Sequence, residues 1–271
     1  MNQSLTVKQI LLRVDEIVPF KAAEAWDRCG LRLGDEEARV SRVAVVLDAS
    51  EKAVQIAHEN GCELLIAHHP LLFHAAEDLV CDRIDTKVAQ IAFSLGVNIV
   101  ACHTNFDSAY GGVNHVLAQK AGLSEIAPLL PCNVDGAFGT GAIGSLAETV
   151  FAEALCDRLA LAWRLSGYRL LGENIRVGKI ALCGGAGGEF WKTALEQGAK
   201  FYATADMRYH ECLEALDAGM TLMICDHGEM EDSPLESFAQ TLEERLGLPV
   251  LYFSRRVFVR GVSEWRAVND V

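Results

Sequence analysis

The chain has 271 residues, of which 51% are hydrophobic and 23% charged, the make-up of a globular protein with room for one large or two modest domains. Acidic residues outnumber basic ones by 37 to 24, giving a net charge of −13 with no basic run to offset it, so no nucleic-acid partner is expected. The nine cysteines form no C-x-x-C pair and no apolar stretch reaches membrane-spanning length, which argues against a disulfide scaffold, a thiolate zinc site and membrane insertion, and for the cytoplasm.

The predicted elements begin with an amphipathic helix over 7–18, whose regularly spaced charges do not fit a signal peptide, followed by a loop through Trp26 and Gly30. Strand and helix then alternate: strand 43–47, helix 51–59, strand 63–67, helix 83–94, strand 97–101 and helix 113–121. Such alternation predicts an α/β fold with parallel or mixed sheets covered by helices. Residues 122–144, with Pro128, Pro131 and several glycines, interrupt it and mark the best candidate passage between two lobes. The expected division places 1–125 with 232–271 in a first α/β lobe and 126–231 in a second.

The second half parallels the first. Strand, helix, Gly61, strand and donors over 40–74 are matched by strand, helix, Gly198, strand and donors over 177–210. Gly61 stands eight residues before His69, and Gly198 stands eight before Asp206. Gly96 likewise precedes a strand ending in His103-x-x-x-Asp107, and Gly219 one ending in His227-x-x-x-Glu231. This predicts an internal pseudo-repeat whose copies face each other across a crevice; the alternative is chance reuse of glycine-capped helices.

The chemistry sits at three predicted strand ends, where apolar runs stop at His68-His69, at His103 with Asp107 and at His227 with Glu231. Parallel strands point their carboxyl ends at one crevice, so donors scattered in sequence converge there. Six nitrogen and oxygen donors exceed the roughly three protein ligands of one catalytic zinc-like ion, which favours two ions. Neighbouring strand residues face opposite ways, so with Pro70 following directly, His68 and His69 are expected where strand becomes loop, diverging toward two ions. Ser233-Pro234-Leu235-Glu236 reads as a capping box, which starts the last long helix after Glu231 and leaves His227 and Glu231 in the loop before it.

Asp206 and His210 hold the position in the second half that the double histidine holds in the first. They read as outer groups that orient ligands, as an acid or base, or as substrate contacts; the alternative is a solvated helix start with Asp206 as its N-cap. Cys183-Gly184-Gly185-Ala186-Gly187-Gly188 is neither G-x-G-x-x-G nor a Walker A sequence, and a tight structural turn explains it better than an anion cradle. His58, His74 and His115 read as structural, and Cys102, Cys183 and Cys225 as small buried hydrophobes.

Ala67-His68-His69-Pro70-Leu71-Leu72-Phe73, His103-Thr104-Asn105-Phe106-Asp107 and His227-x-x-x-Glu231 together resemble the Ngg-one interacting factor three-like family, whose members are called GTP cyclohydrolase I type 2 homologues. Ala25-Trp26-Asp27-Arg28-Cys29-Gly30-Leu31 is similar to that family's Trp-Asp-Asn-x-Gly-Leu segment, with Arg28 in place of Asn. Asp206 and His210 match its Gly-Asp-x-x-x-His pattern, with Ala205 in place of Gly. The resemblance implies two α/β lobes around a dinuclear metal crevice, a hexameric ring, and His68, His69, His103, Asp107, His227 and Glu231 as ligands.

The sequence therefore reads as a dinuclear metal-dependent hydrolase of a small phosphorylated or nucleotide-like substrate, using two divalent ions (Zn, Fe or Mn), with Asp206 or His210 carrying protons. A GTP cyclohydrolase is the narrower version. The alternative is a non-catalytic metal-binding or adaptor protein that forms a ring-shaped oligomer.

Overall fold

The computed structural model describes residues 4–73, 80 and 83–258. In chain order the first elements are β1 (Leu5–Thr6), α1 (Val7–Ile17), β2 (Gly30–Leu33), β3 (Arg39–Val40), β4 (Val43–Asp48), α2 (Glu51–Glu59), β5 (Leu64–His69), α3 (Ile84–Leu95), β6 (Asn98–Ala101), a one-turn α4 (Thr104–Asp107) and α5 (Val113–Lys120). There follow β7 (Ser124–Ala127), β8 (Leu130–Pro131), β9 (Gly139–Thr140), β10 (Ala142–Phe151), α6 (Ala152–Trp163), β11 (Tyr168–Leu171), β12 (Arg176–Leu182) and α7 (Trp191–Glu196). The last are β13 (Phe201–Thr204), α8 (Tyr209–Asp217), β14 (Thr221–Cys225), α9 (His227–Leu246) and β15 (Val250–Tyr252). The fold is α/β, as the alternation of patterns predicts, and 122–144 carries β7, β8, β9 and the start of β10.

The chain divides into two compact units; of the described residues, 4–106 with 235–258 form one and 107–234 the other. In the first, a five-stranded sheet runs β15-β4-β5-β6-β2, parallel except for β2 against β6. Its central strands are buried along nearly their whole length, which is why they read as continuous apolar runs rather than alternating ones. Ala44, Val46, Leu65, Ala67 and Ile99 form a core with Val54 and Ala57 of α2 and Val88 and Ala92 of α3. Gly96 ends α3 in the left-handed conformation, φ 69°, and turns the chain into β6. At the amino end Thr6 caps α1: its hydroxyl accepts from the Gln9 amide while Gln9 reaches back to Thr6 N.

In the second unit a six-stranded sheet runs β11-β14-β13-β12-β10-β7, with β12, β13 and β14 parallel and the outer strands antiparallel to their neighbours. Its core joins Ala181, Tyr202 and Leu222 to Trp191, Ala194, Cys212 and Ala215.

One expected element start is corrected. The helix predicted to begin after Glu231 begins at His227 and carries Pro234 inside it. The reason is a competing cap: Asp226, the residue directly after β14, accepts through Oδ1 from the Glu229 amide at 2.9 Å and satisfies an orphan donor of the new helix. Pro234 has no amide to give, and the Ser233 carbonyl beside it accepts from Lys120 Nζ at 2.7 Å. Among the described residues no helix is long and apolar enough to cross a membrane.

Candidate metal centre

In the first unit β5 ends in His68 and His69, and His103 follows β6. One donor atom from each of the three rings lies within 4.8 Å of the others, so the set could hold a metal ion. Each Nδ1 is engaged: that of His68 with the Cys102 carbonyl at 2.9 Å, that of His69 with Asp48 Oδ1 at 2.7 Å, that of His103 with Asp27 Oδ1 at 3.0 Å. A metal would then be taken through Nε2, with tautomer and ring orientation fixed by the partner behind each ring.

The two adjacent histidines are the last residues of β5, directly before Pro70, where strand gives way to loop as expected. Their rings tilt toward each other, with centroids 5.0 Å apart, although they belong to successive residues. The reason is that each is tied to a different neighbouring strand. His68 reaches the residue after β6, while His69 reaches Asp48, its direct partner in the parallel β4–β5 register.

Asp27 is the deeper of the two carboxylates, with its side chain closed off from solvent. Burial alone would raise its pKa, but hydrogen bonds from His103 and from the hydroxyl and amide of Thr104 outweigh that and hold it well below the usual carboxylate range. It therefore stays an anion behind the His103 ring.

In the second unit His227 opens α9 and Glu231 follows one turn later, so Nε2 of the first and Oε2 of the second lie 3.0 Å apart. Asp206 Oδ2 meets His227 Nδ1 at 2.8 Å. Of the readings open for Asp206, the observed contact is that of a group orienting a histidine; it is not the N-cap of α8, a position taken by Arg208. His210 is exposed on the first turn of α8 with its ring edge-on to Tyr209 at 5.4 Å.

Glu231 is 3% exposed and lies against the glycine-rich turn. Gly185 has φ +62°, and a Cβ there would come 2.0 Å from Glu231 Oε1 and 3.2 Å from the His227 ring. Its carbonyl also accepts from the amides of Ala205 and Asp206 at 3.1 and 3.0 Å. The turn is thus a structural rest for Glu231 and Asp206, in keeping with the expectation of a tight turn. Asp107 is tied into the same region: its carbonyl accepts from Asn114, whose Oδ1 accepts from Gly184 N at 2.9 Å. Burial first, then the charges of Asp107 and Glu231, push the Cys183 thiol far up, which marks both carboxylates as neighbours of one sulfur.

Burial pushes the Cys102 and Cys225 thiols up as well, so they behave as buried hydrophobes and not as nucleophiles. His115 is buried under Tyr110, with ring centroids 4.1 Å apart, and His58 is exposed on α2; His74 lies outside the described residues. Asp27, Asp48 and Gly185 are the site residues that sequence reasoning did not single out. One signal was present: Asp48 and His69 are 21 residues apart, and so are Asp206 and His227. The units β4–α2–β5 and β13–α8–β14 therefore match with Asp48 on Asp206 and His69 on His227, a register different from the expected one that set His69 against Asp206.

His227 carries a testable titration. Burial works against its charge, but the hydrogen bonds and charges of Glu231 and Asp206 outweigh it and raise the pKa from 6.5 to about 9. In the metal-free chain its ion pairs therefore contribute stability fully below pH 6.5 and lose it as pH rises through about 9. A metal must displace that proton. Calorimetry of zinc binding at neutral pH, in buffers of different ionisation enthalpy, should show about one proton fewer released by His227→Gln than by the parent chain. An unchanged count would remove His227 from the ligand set.

A family model described as Duf34/NIF3 (NGG1p interacting factor 3) matches residues 5–256. The chain belongs to this family. A Lactococcus lactis relative named GTP cyclohydrolase 1 type 2 homolog is 30% identical over 220 residues, covering 80% of this chain and 83% of its own. A Clostridium perfringens relative of the same name is 26% identical over 243 residues, covering 89% and 93%. Among solved structures, a Bacillus cereus protein related to NIF3 superposes with a TM-score of 0.87 at 20% identity, covering 92% of this chain and 96% of that one. Reduced HcgD from Methanocaldococcus jannaschii superposes with a TM-score of 0.80 at 21% identity, covering 93% and 99%. At such identities the structures establish the fold. Among the described residues of this NIF3-family chain, histidines and carboxylates form groups that could bind a metal.

Proposed function

We propose that this NIF3-family chain is a dinuclear metal-dependent hydrolase of a small phosphorylated or nucleotide-like molecule, acting in the cytoplasm as a hexamer. His68, His69, His103, Asp107, His227 and Glu231 are the proposed ligands of two divalent ions (Zn, Fe or Mn). The observation that carries the reading is the convergence of His68, His69 and His103 with every Nδ1 already engaged, an arrangement that costs ring freedom and is typical of histidines poised to ligate. When bound, such ions polarise a phosphoryl or carbonyl oxygen and supply a water that ionises near neutral pH.

The chain's own groups do the remaining work. Asp27 and Asp48 hold two imidazoles in place, and Asp206 holds a third. Of the two residues proposed to carry protons, Asp206 is committed to His227, so His210 on α8 is the better candidate for transfer to a leaving group. GTP cyclohydrolase activity, the name borne by the relatives, is the narrower form of this reading.

The test is elemental analysis after metal loading, followed by a hydrolysis screen over phosphoesters, nucleotides and cyclic amides. About two ions per chain are expected, with a rate that rises through about pH 7. His210→Ala should lower turnover about 10²–10⁴-fold with both metals retained. Metal uptake without turnover on any substrate, with coordination closed by protein alone, would favour the metal-binding or adaptor reading.

A further inference from the structure

A cavity of about 680 Å³ opens in the second unit at the carboxyl ends of β12, β13 and β14, where open α/β sheets place ligands. Arg169 of β11, Glu189 of the glycine-rich turn, and Asp206, Arg208 and Glu211 around the start of α8 line it. The carboxylates and the guanidiniums differ in what already occupies them. Asp206 is taken by His227 at 2.8 Å, and Glu211 accepts from the Arg208 amide at 2.8 Å. Neither the Arg169 nor the Arg208 guanidinium has a carboxylate partner among the described residues. One oxygen each of Asp206 and Glu211 is engaged within the protein, whereas the two forked donors have no carboxylate partner among the described residues, and two such guanidiniums lining one cavity can grip an oxyanion.

We propose that this cavity binds the phosphate group of a small phosphate monoester, with Arg169 and Arg208 as its donors. Glu189, the carboxylate in the pocket without a hydrogen bond among the described residues, accepts from a hydroxyl or amino group on the same molecule. Because Asp206 belongs both to this lining and to the His227 pair, a ligand held here ends beside that pair. The site itself needs no metal, so it goes beyond the hydrolase reading and stands if that reading fails.

The test is calorimetric titration of the metal-loaded full chain with inorganic phosphate and with glycerol 3-phosphate at low ionic strength. Arg169→Gln and Arg208→Gln should each weaken both ligands about ten- to hundredfold, the loss typical of a hydrogen bond to a charged group. Arg169→Lys, which keeps the charge without the fork, should fall between. Glu189→Gln should weaken glycerol 3-phosphate but not inorganic phosphate. His69→Ala should leave phosphate binding in place, and its effect on turnover reports on the hydrolase reading separately. Unchanged affinity in both arginine variants, no binding at millimolar phosphate, or binding lost only in His69→Ala would each overturn the proposal.

Discussion

Replacing Glu231 by Gln should cost the protein most of its bound metal, whereas Asp206→Asn should weaken retention only about 10–100-fold, the usual loss for a group behind a ligand. Glu231 is 3% exposed and 3.0 Å from His227 Nε2, so its charge has little water to compensate it and meets the histidine on the face a metal would use. Asp206 meets the opposite nitrogen, Nδ1, and is largely exposed. The amide of Gln removes a full negative charge from a buried position; the amide of Asn keeps an oxygen that can still accept from Nδ1–H. Metal content after dialysis against a weak chelator reads the difference. Equal retention in the two variants would reverse the roles assigned to them.

Gly185→Ala should be nearly as damaging, although it replaces no ligand. The residue would have to keep φ +62° while its methyl group stood 2.0 Å from Glu231 Oε1. The backbone strain alone is about 1 kcal/mol, and the contact forces either the carboxylate or the turn that positions Asp206 to move. Gly198→Ala is the control, since φ there is +83° but nothing lies within 4 Å of the added carbon. We expect Gly198→Ala to lower stability by about 1 kcal/mol in denaturant melts with metal content unchanged. Gly185→Ala should lose both stability and metal. Matching behaviour of the two variants would mean that the contact with Glu231 is relieved at no cost.

The donors were legible in the sequence because strand ends of an α/β sheet are predictable from apolar runs, and a histidine at such an end stands out. The groups behind them were not. Asp48 closes its own apolar run, but only the parallel β4–β5 register shows that it faces His69. Asp27 is further still, brought to His103 from 76 positions away by a loop without periodicity. The start of α9 failed for a different reason. Asp226 and Ser233 both head cap-like sequences, and local pattern cannot rank two caps when the buried turn around Glu231 decides between them. The repeat was visible, but glycine spacing alone fits two registers, and the carboxylate–histidine pairs select one.

The three imidazoles of the first unit are not chemically equal. His69 and His103 are backed by carboxylates, His68 by a neutral peptide carbonyl. An anion behind Nδ1–H draws the ring toward imidazolate and enriches the far nitrogen in electron density, which a carbonyl dipole does much less. An ion sharing all three would feel two strong donors and one weak one. X-ray absorption should then resolve one longer metal–nitrogen distance, and exchange of the ion should begin by release of His68.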